Sequence, residues 1–215
     1  MGQVKSSKTK DLNEIRGSRL DTENRDRILI NKIAKRDESA FEEFLKYYQH
    51  RIINLLYRYT HSRSDAEELA QDVFINIWNR ADSFKGRSRV STWIYRIACN
   101  LAINHLKKRK LPILSIDGYI TSPSSRIKKD LIDPGALRSE SFTDNKEKKA
   151  LIEAAIEKLS PAQKMAILLS RYEGYSYAEI SEIMKISVSA VESLLFKAKQ
   201  KLRTILLPFK EKGML

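Results

Sequence analysis

The chain has 215 residues, 42% of them hydrophobic, and carries a formal net charge of +13 with a pI near 9.7. That length holds one domain or two small ones, and the charge points to a polyanionic partner, because neutralising phosphates releases counterions. A single cysteine, Cys99, excludes an intramolecular disulfide and a thiolate metal cluster, and no apolar window is long enough for a membrane span.

Residues 1–25 are polar, lack the apolar core of a secretory signal, and are expected to form a mobile tail. Ile28, Leu29, Ile30 and Ile33 then predict a short helix ending near Lys35 to Asp37. A longer helix follows, with Phe41, Phe44, Leu45, Tyr48, Ile52, Leu55, Leu56 and Tyr59 recurring at spacings of three and four. Ser39 and Glu42 have the spacing of a capping box at its start.

From Ser64 to Asn79 every charged residue is acidic: Asp65, Glu67, Glu68 and Asp72. Ser64 and Glu67 suggest another capping box, and Ala66, Leu69, Ala70, Val73, Phe74, Ile77 and Trp78 predict the buried face of a helix. The opposite face carries Asp65, Glu68, Asp72, Ile75 and Asn79. A solvated helix N-terminus accounts for the first acids but not for Ile75 among them.

From Lys85 to Lys110 the imbalance reverses, with Lys85, Arg87, Arg89, Arg96 and the run Lys107 to Lys110 unbroken by any acid. Residues 81–90 read as a loop, and Ser91 as the cap of the next helix. Ile94, Ile97, Ala98, Leu101 and His105 predict its inner stripe, leaving Thr92, Arg96, Asn100, Asn104 and Lys107 outside. Phe84, Trp93 and Tyr95 stand at the head of this basic stretch, where bases can stack while cations hold phosphates. Adjacent helices of opposite charge imply two different partners.

Residues 111–143 contain Pro112, Pro123, Pro134, Gly118 and Gly135 and read as a flexible linker. Regular structure resumes with Asp144 and Glu147 as a capping box, followed by Leu151, Ala155, Ile156 and Leu159 on one stripe. Ser160 and Pro161 start the next helix and Gly174 ends it, with Met165, Leu168, Leu169 and Tyr172 inward. Ser176 and Glu179 open a short helix, and Ser187 caps a long final one after a tight turn. Ala178, Ile180, Ile183, Ile186, Val191, Leu194, Leu195, Ala198 and Leu202 are expected inside. Ser189, Glu192, Ser193, Phe196, Lys197 and Gln200 share the outer face, a mixture suited to reading a major groove.

The fold expected is all-α: two small helical domains (residues 26–110 and 144–210) joined by the linker, the second a helix-turn-helix domain. Cys99 is expected to be a packing residue, and His50, His61 and His105 show no ligand spacing. No nucleophile triad, phosphate-cradling glycine loop or metal-ligand cluster appears, so the expectation is no enzyme, no cofactor and no metal.

Four ordered motifs together resemble the extracytoplasmic function (ECF) sigma factors of the sigma-70 family. They are Asp65-Ala-Glu-Glu-Leu-Ala-Gln-Asp-Val-Phe through Trp78, Ser91-Thr-Trp-Ile-Tyr-Arg-Ile-Ala-Cys-Asn, Leu159-Ser-Pro, and Tyr177-Ala-Glu-Ile-Ser-Glu-Ile-Met. The resemblance spans roughly Ile28 to Leu207. It implies a cytoplasmic transcription initiation factor that docks on core RNA polymerase through Asp65, Glu68, Gln71, Asp72, Ile75 and Trp78, placed against the β′ coiled coil, with the β flap as a further contact.

It also implies that Phe84, Lys85, Arg87, Ser88 and Arg89, with Trp93, Tyr95, Arg96, Asn100, Asn104 and Lys107, capture an unstacked base of the minus-ten element and hold the melted nontemplate strand. Ser189, Glu192, Ser193, Phe196, Lys197 and Gln200 would read the duplex minus-thirty-five element, and an anti-sigma protein is an expected partner. Many relatives have glycine in the helix-turn-helix turn where this chain has Lys185, which must adopt that backbone geometry at some cost or make a slightly different turn. The rival reading is a stand-alone helix-turn-helix regulator, which would bind duplex DNA by itself.

Overall fold

In the computed structural model, residues 21–110 and 144–214 are described, and all their regular structure is helical. In chain order the helices are α1 (residues 21–33), α2 (Glu38–Thr60), α3 (Arg63–Arg80), α4 (Val90–Lys110), α5 (Asp144–Glu157), α6 (Pro161–Arg171), α7 (Tyr177–Met184) and α8 (Val188–Glu211), with a 3-10 turn at Ala81–Ser83. The chain divides into two compact units: the first runs to Ala102 and includes Glu182–Met184, and the second takes the remainder. Residues 1–20 and the expected linker, 111–143, lie outside the described residues, as do the side chains of the Asp144 and Glu147 box.

In the first unit α2 and α3 pack closely, burying Phe44, Ile52, Leu55, Leu56 and Tyr59 against Ala66, Leu69, Val73 and Ile77. Each large side chain removed from water contributes about 1.5–3 kcal/mol before conformational entropy is set against it. α1 is already helical at residue 21, the first described residue, inside the stretch expected to be a tail. Its first turns are fastened by the Arg27 to Glu23 pair at 3.0 Å, by the Arg25 guanidinium 3.6 Å from the Tyr47 ring centroid, and by buried Asp26, which accepts from Tyr48 Oη. Burial opposes the charge on Arg25, but the neighbouring Asp26 carboxylate outweighs it and holds the guanidinium above its usual value. Ile28 of this helix is exposed rather than inward.

Two of the expected helix caps sit elsewhere. α2 is capped by Asp37, whose carboxylate accepts from Ala40 N at 2.9 Å, so Ser39 and Glu42 already lie within the helix. α3 is capped by Ser62, accepting from Asp65 N, so Ser64 is inside too. The cause is the tightness of both turns. Arg36 (φ 67) and His61 (φ 53) adopt the left-handed conformation, and in each case the next residue is the cap. α4 likewise opens at Val90, before the expected cap Ser91.

In the second unit the sequence signals hold. Ser160 and Gln163 form a reciprocal capping box ahead of Pro161, Ser176 and Glu179 form another, and Ser187 caps α8 through Ala190 N. Gly174 (φ +71) lies just beyond α6. Lys185 takes φ 54 between α7 and α8, the strained geometry expected of a non-glycine residue at that turn. Ser181 Oγ donates to Ile186 O at 2.6 Å and ties the turn together. Tyr172 and Ala178, expected inside, are exposed. On α6, Lys164 is buried and paired with Glu157 of α5.

Candidate functional site

Three outward faces emerge from these helices. On α3, Glu68, Gln71 and Asp72 are exposed and Asp65 is half-buried, while Ile75 keeps 56% of its surface in solvent among them. Glu67 is engaged along its own helix by Arg63 at 2.8 Å, and this hydrogen-bonded carboxylate holds the guanidinium above its usual value. Trp78 is half-buried. Its ring lies 5.0 Å from Phe41, the Arg36 guanidinium sits 5.4 Å above it, and Arg36 donates to Trp78 O at 2.6 Å.

Beside this acidic strip runs a groove of about 710 Å³. Its α3 wall is Glu67, Ala70, Gln71, Phe74, Ile75 and Trp78, and its α2 wall is Glu38, Phe41, Leu45, Gln49 and Ile53. The α2 wall was missed at the sequence level because Phe41 and Leu45 read as ordinary core. The signal was present: residues 41, 45, 49 and 53 recur every four, a second stripe offset from the buried line of Phe44, Tyr48 and Ile52.

The second face is the loop before α4 and one side of that helix. Lys85, Arg87 and Arg89 are exposed and Ser88 half-buried. Phe84 and Trp93, both half-buried, pack against each other with ring centroids 5.5 Å apart and planes tilted by 56°. Arg96 is half-buried, and Asn100, Asn104 and Lys107 are exposed in line with Trp93. Tyr95 does not join them. It is 2% exposed and belongs to the core, as does Thr92 at 1%, which had been expected outside. α4 is buried around roughly half its circumference, with Val90, Ile94, Tyr95, Ala98, Cys99 and Ala102 inward, so the single stripe read from the sequence was too narrow. Cys99 is the packing residue expected.

The third face is on α8, where Ser189, Glu192, Ser193, Phe196, Lys197 and Gln200 are all exposed, Phe196 by 68%. Val191, Leu195 and Ala198 face inward, which fixes the helix rotation that turns the others out. Ser189 Oγ lies 3.0 Å from Ser187 Oγ, tying it to the helix cap.

Residues 44–111 match the family described as Sigma-70 region 2, and residues 149–202 match the one described as Sigma-70, region 4. The chain belongs to the extracytoplasmic function sigma factors of the sigma-70 family.

Among relatives, the RNA polymerase sigma-H factor of Pseudomonas aeruginosa is 30% identical over 197 residues, covering 87% of this chain and 96% of that protein. The ECF RNA polymerase sigma-E factor of Escherichia coli K12 is 33% identical over 181 residues, covering 81% of this chain and 91% of the relative. In fold the chain resembles the Bartonella quintana sigma factor RpoE, solved in complex with the anti-sigma factor NepR. The TM-score is 0.55 at 23% identity, over 77% of this chain and 96% of that one.

This sigma factor is therefore an alternative RNA polymerase sigma factor, which binds core polymerase and directs promoter recognition and melting. The reading as a stand-alone regulator is not favoured, because both halves of the chain match the family in order. Sigma factors are initiation factors, not enzymes. Among the described residues no helix is long and apolar enough to cross a membrane.

Proposed function

We propose a division of the initiation steps among the three faces. Residues 26–110 form the domain for core binding and the minus-ten element, residues 144–210 the domain for the minus-thirty-five element, and the chain itself performs no bond chemistry. The acidic face of α3 grips a basic, helical surface of core polymerase, for which the β′ coiled coil is the candidate. Glu68 and Asp72 steer the encounter, and the groove beside Ile75 accepts an apolar side chain from the partner.

Opening the promoter then exposes the nontemplate strand to the loop and α4. The paired rings of Phe84 and Trp93 offer a stacking surface for an extruded base, which recovers part of the few kcal/mol lost on unstacking. Lys85, Arg87, Arg89, Arg96 and Lys107 neutralise phosphates, and Asn100 and Asn104 hydrogen-bond base edges. Tyr95 acts from beneath, by packing. On duplex DNA, Glu192, Ser193, Phe196 and Lys197 meet base edges and backbone in the major groove, with Ser189 and Gln200 at the margins.

The observation that carries this reading is the opposite charge of the exposed surfaces on two helices consecutive in the chain, the α3 face and the α4 strip. Their chemistry suits a protein and a nucleic acid respectively. The site of action is the cytoplasm, and an anti-sigma protein, the class of partner that RpoE of B. quintana binds, is a fitting regulator. Gel shift on promoter DNA with and without core polymerase tests the scheme. Specific binding is expected only with core present, and tight specific binding by the free chain would sink it.

A further inference from the structure

The region 2 match begins at residue 44, and α1 lies ahead of it. We propose that Arg27 of α1 is a positioning residue for the minus-ten loop, holding Gly86 so that Lys85 and Arg87 are set for the displaced strand before DNA arrives. This rests on the assignment of that loop to single-stranded DNA.

The geometry is a three-membered relay. Glu23 Oε1 accepts from Arg27 Nε at 3.0 Å, and Arg27 Nη2 reaches Gly86 O at 3.5 Å. Glu23 is mostly covered while Arg27 is about half exposed, so the acid fixes the guanidinium at a rim position. Only a planar fork can hold two acceptors at once in fixed directions, which a lysine ammonium on a flexible stem does not reproduce.

Gly86 fits this arrangement for two reasons. Its φ of +69 favours glycine, and a Cβ built there would come within 3.2 Å of Arg27 Nη1. Residues 84–89 have no helical hydrogen-bond ladder to order them. A loop ordered only on binding loses affinity to its own conformational entropy. A contact from α1 made in advance lowers that loss without touching the ligand.

A rival role for Arg27 is direct contact with a phosphate, and Glu23 separates the two by sign. If Arg27 holds phosphate, removing the nearby acid should tighten DNA binding; if Arg27 holds the loop, removing its orienting partner should weaken it. The test uses full-length chain bound to core polymerase, selecting from a single-stranded DNA pool with a short randomised window. Core affinity, thermal melting and salt dependence are measured in parallel.

Arg27→Ala is expected to lower retention about fivefold, discounted for its exposed position, and to flatten the base preference, with core affinity unchanged and melting lowered by no more than the loss of one exposed ion pair. Glu23→Ala should act in the same direction and less strongly, and neither should change the salt slope. Gly86→Ala and Arg27→Ala should combine less than additively. Parent-like retention by Arg27→Ala, or tighter binding by Glu23→Ala, overturns the proposal. The double variant Lys85→Ala/Arg87→Ala tells the two levels apart. If it loses affinity while Arg27→Ala does not, the brace alone is wrong; if it too binds like the parent, the loop's assignment to DNA falls and the brace with it.

Discussion

α3 and α8 each set a strongly exposed apolar side chain, Ile75 and Phe196, in the middle of a charged face, acidic on α3 and predominantly basic on α8 despite Glu192. Ile75 stands among Glu68, Gln71 and Asp72, beside a groove walled by α2. Phe196 stands beside Lys197 and Gln200, on a helix that also carries Lys199, Lys201 and Arg203. An isolated exposed apolar residue needs no explanation, but one centred in a patterned charged face marks a contact in which charge selects the partner and the apolar group anchors it. Under the proposed division, the same construction would serve a protein partner in one place and a DNA duplex in the other.

The largest effect expected is on the acidic face. Glu68→Lys with Asp72→Lys should weaken core binding about 100-fold or more, because two attractions become repulsions within one interface. Competition against a second sigma factor for limiting core measures it. Retention of parent affinity would show that α3 is not the docking surface and remove one half of the comparison.

Next come the aromatic residues. Trp93→Ala should slow promoter opening about tenfold on duplex templates, as expected for one lost stacking contact, and far less on templates already melted. Tyr95→Ala supplies the contrast within the same helix: it should lower thermal stability by about 3 kcal/mol or more while leaving strand selection intact, since the ring is buried. Altered base preference in the Tyr95 variant would return that residue to the contact surface. On α8, Phe196→Ala should cost about tenfold at promoters that depend on the upstream element and nothing at those that do not.

Helix rotation explains which of these residues the sequence could reveal. On α8 a single narrow buried stripe, Val191, Leu195 and Ala198, fixes the rotation, so the outer face follows directly from spacing. α4 is wrapped by neighbours over about half its surface, and periodicity cannot say how wide a buried arc is. Tyr95 and Thr92 were therefore placed outside. Capping residues followed local chemistry in the second unit, where Ser160, Ser176 and Ser187 are the caps read from sequence. They failed in the first, where left-handed Arg36 and His61 reverse the chain so sharply that Asp37 and Ser62 must serve. The α2 wall of the groove leaves a four-residue stripe in the sequence but no sign of what it faces, and the Arg27 relay depends on a contact 59 residues distant, which no local pattern encodes.

Smaller effects sharpen the α8 side. Lys197→Ala should reduce the salt slope of duplex binding by about one if that side chain neutralises a phosphate. A parent-like slope would assign Lys197 to base contact or to none.

The mildest prediction concerns the turn that delivers α8 to its partner. Lys185 sits at φ 54, ψ 47, where a residue bearing a Cβ is strained by roughly 1–2 kcal/mol. Glycine relieves that strain but makes the unfolded chain more flexible, an opposing effect of about 0.5–1 kcal/mol. The balance favours Lys185→Gly by up to about 1.5 kcal/mol. Its side chain lies outside the reading face of Ser189 to Gln200, so salt slope and sequence preference should stay those of the parent. Thermal melting and duplex affinity of the holoenzyme test both statements together. Lowered melting would mean that Lys185 makes a stabilising contact outweighing its backbone strain, and a changed sequence preference would mean that the turn, as well as Phe196 and Lys197, sets how α8 meets the groove.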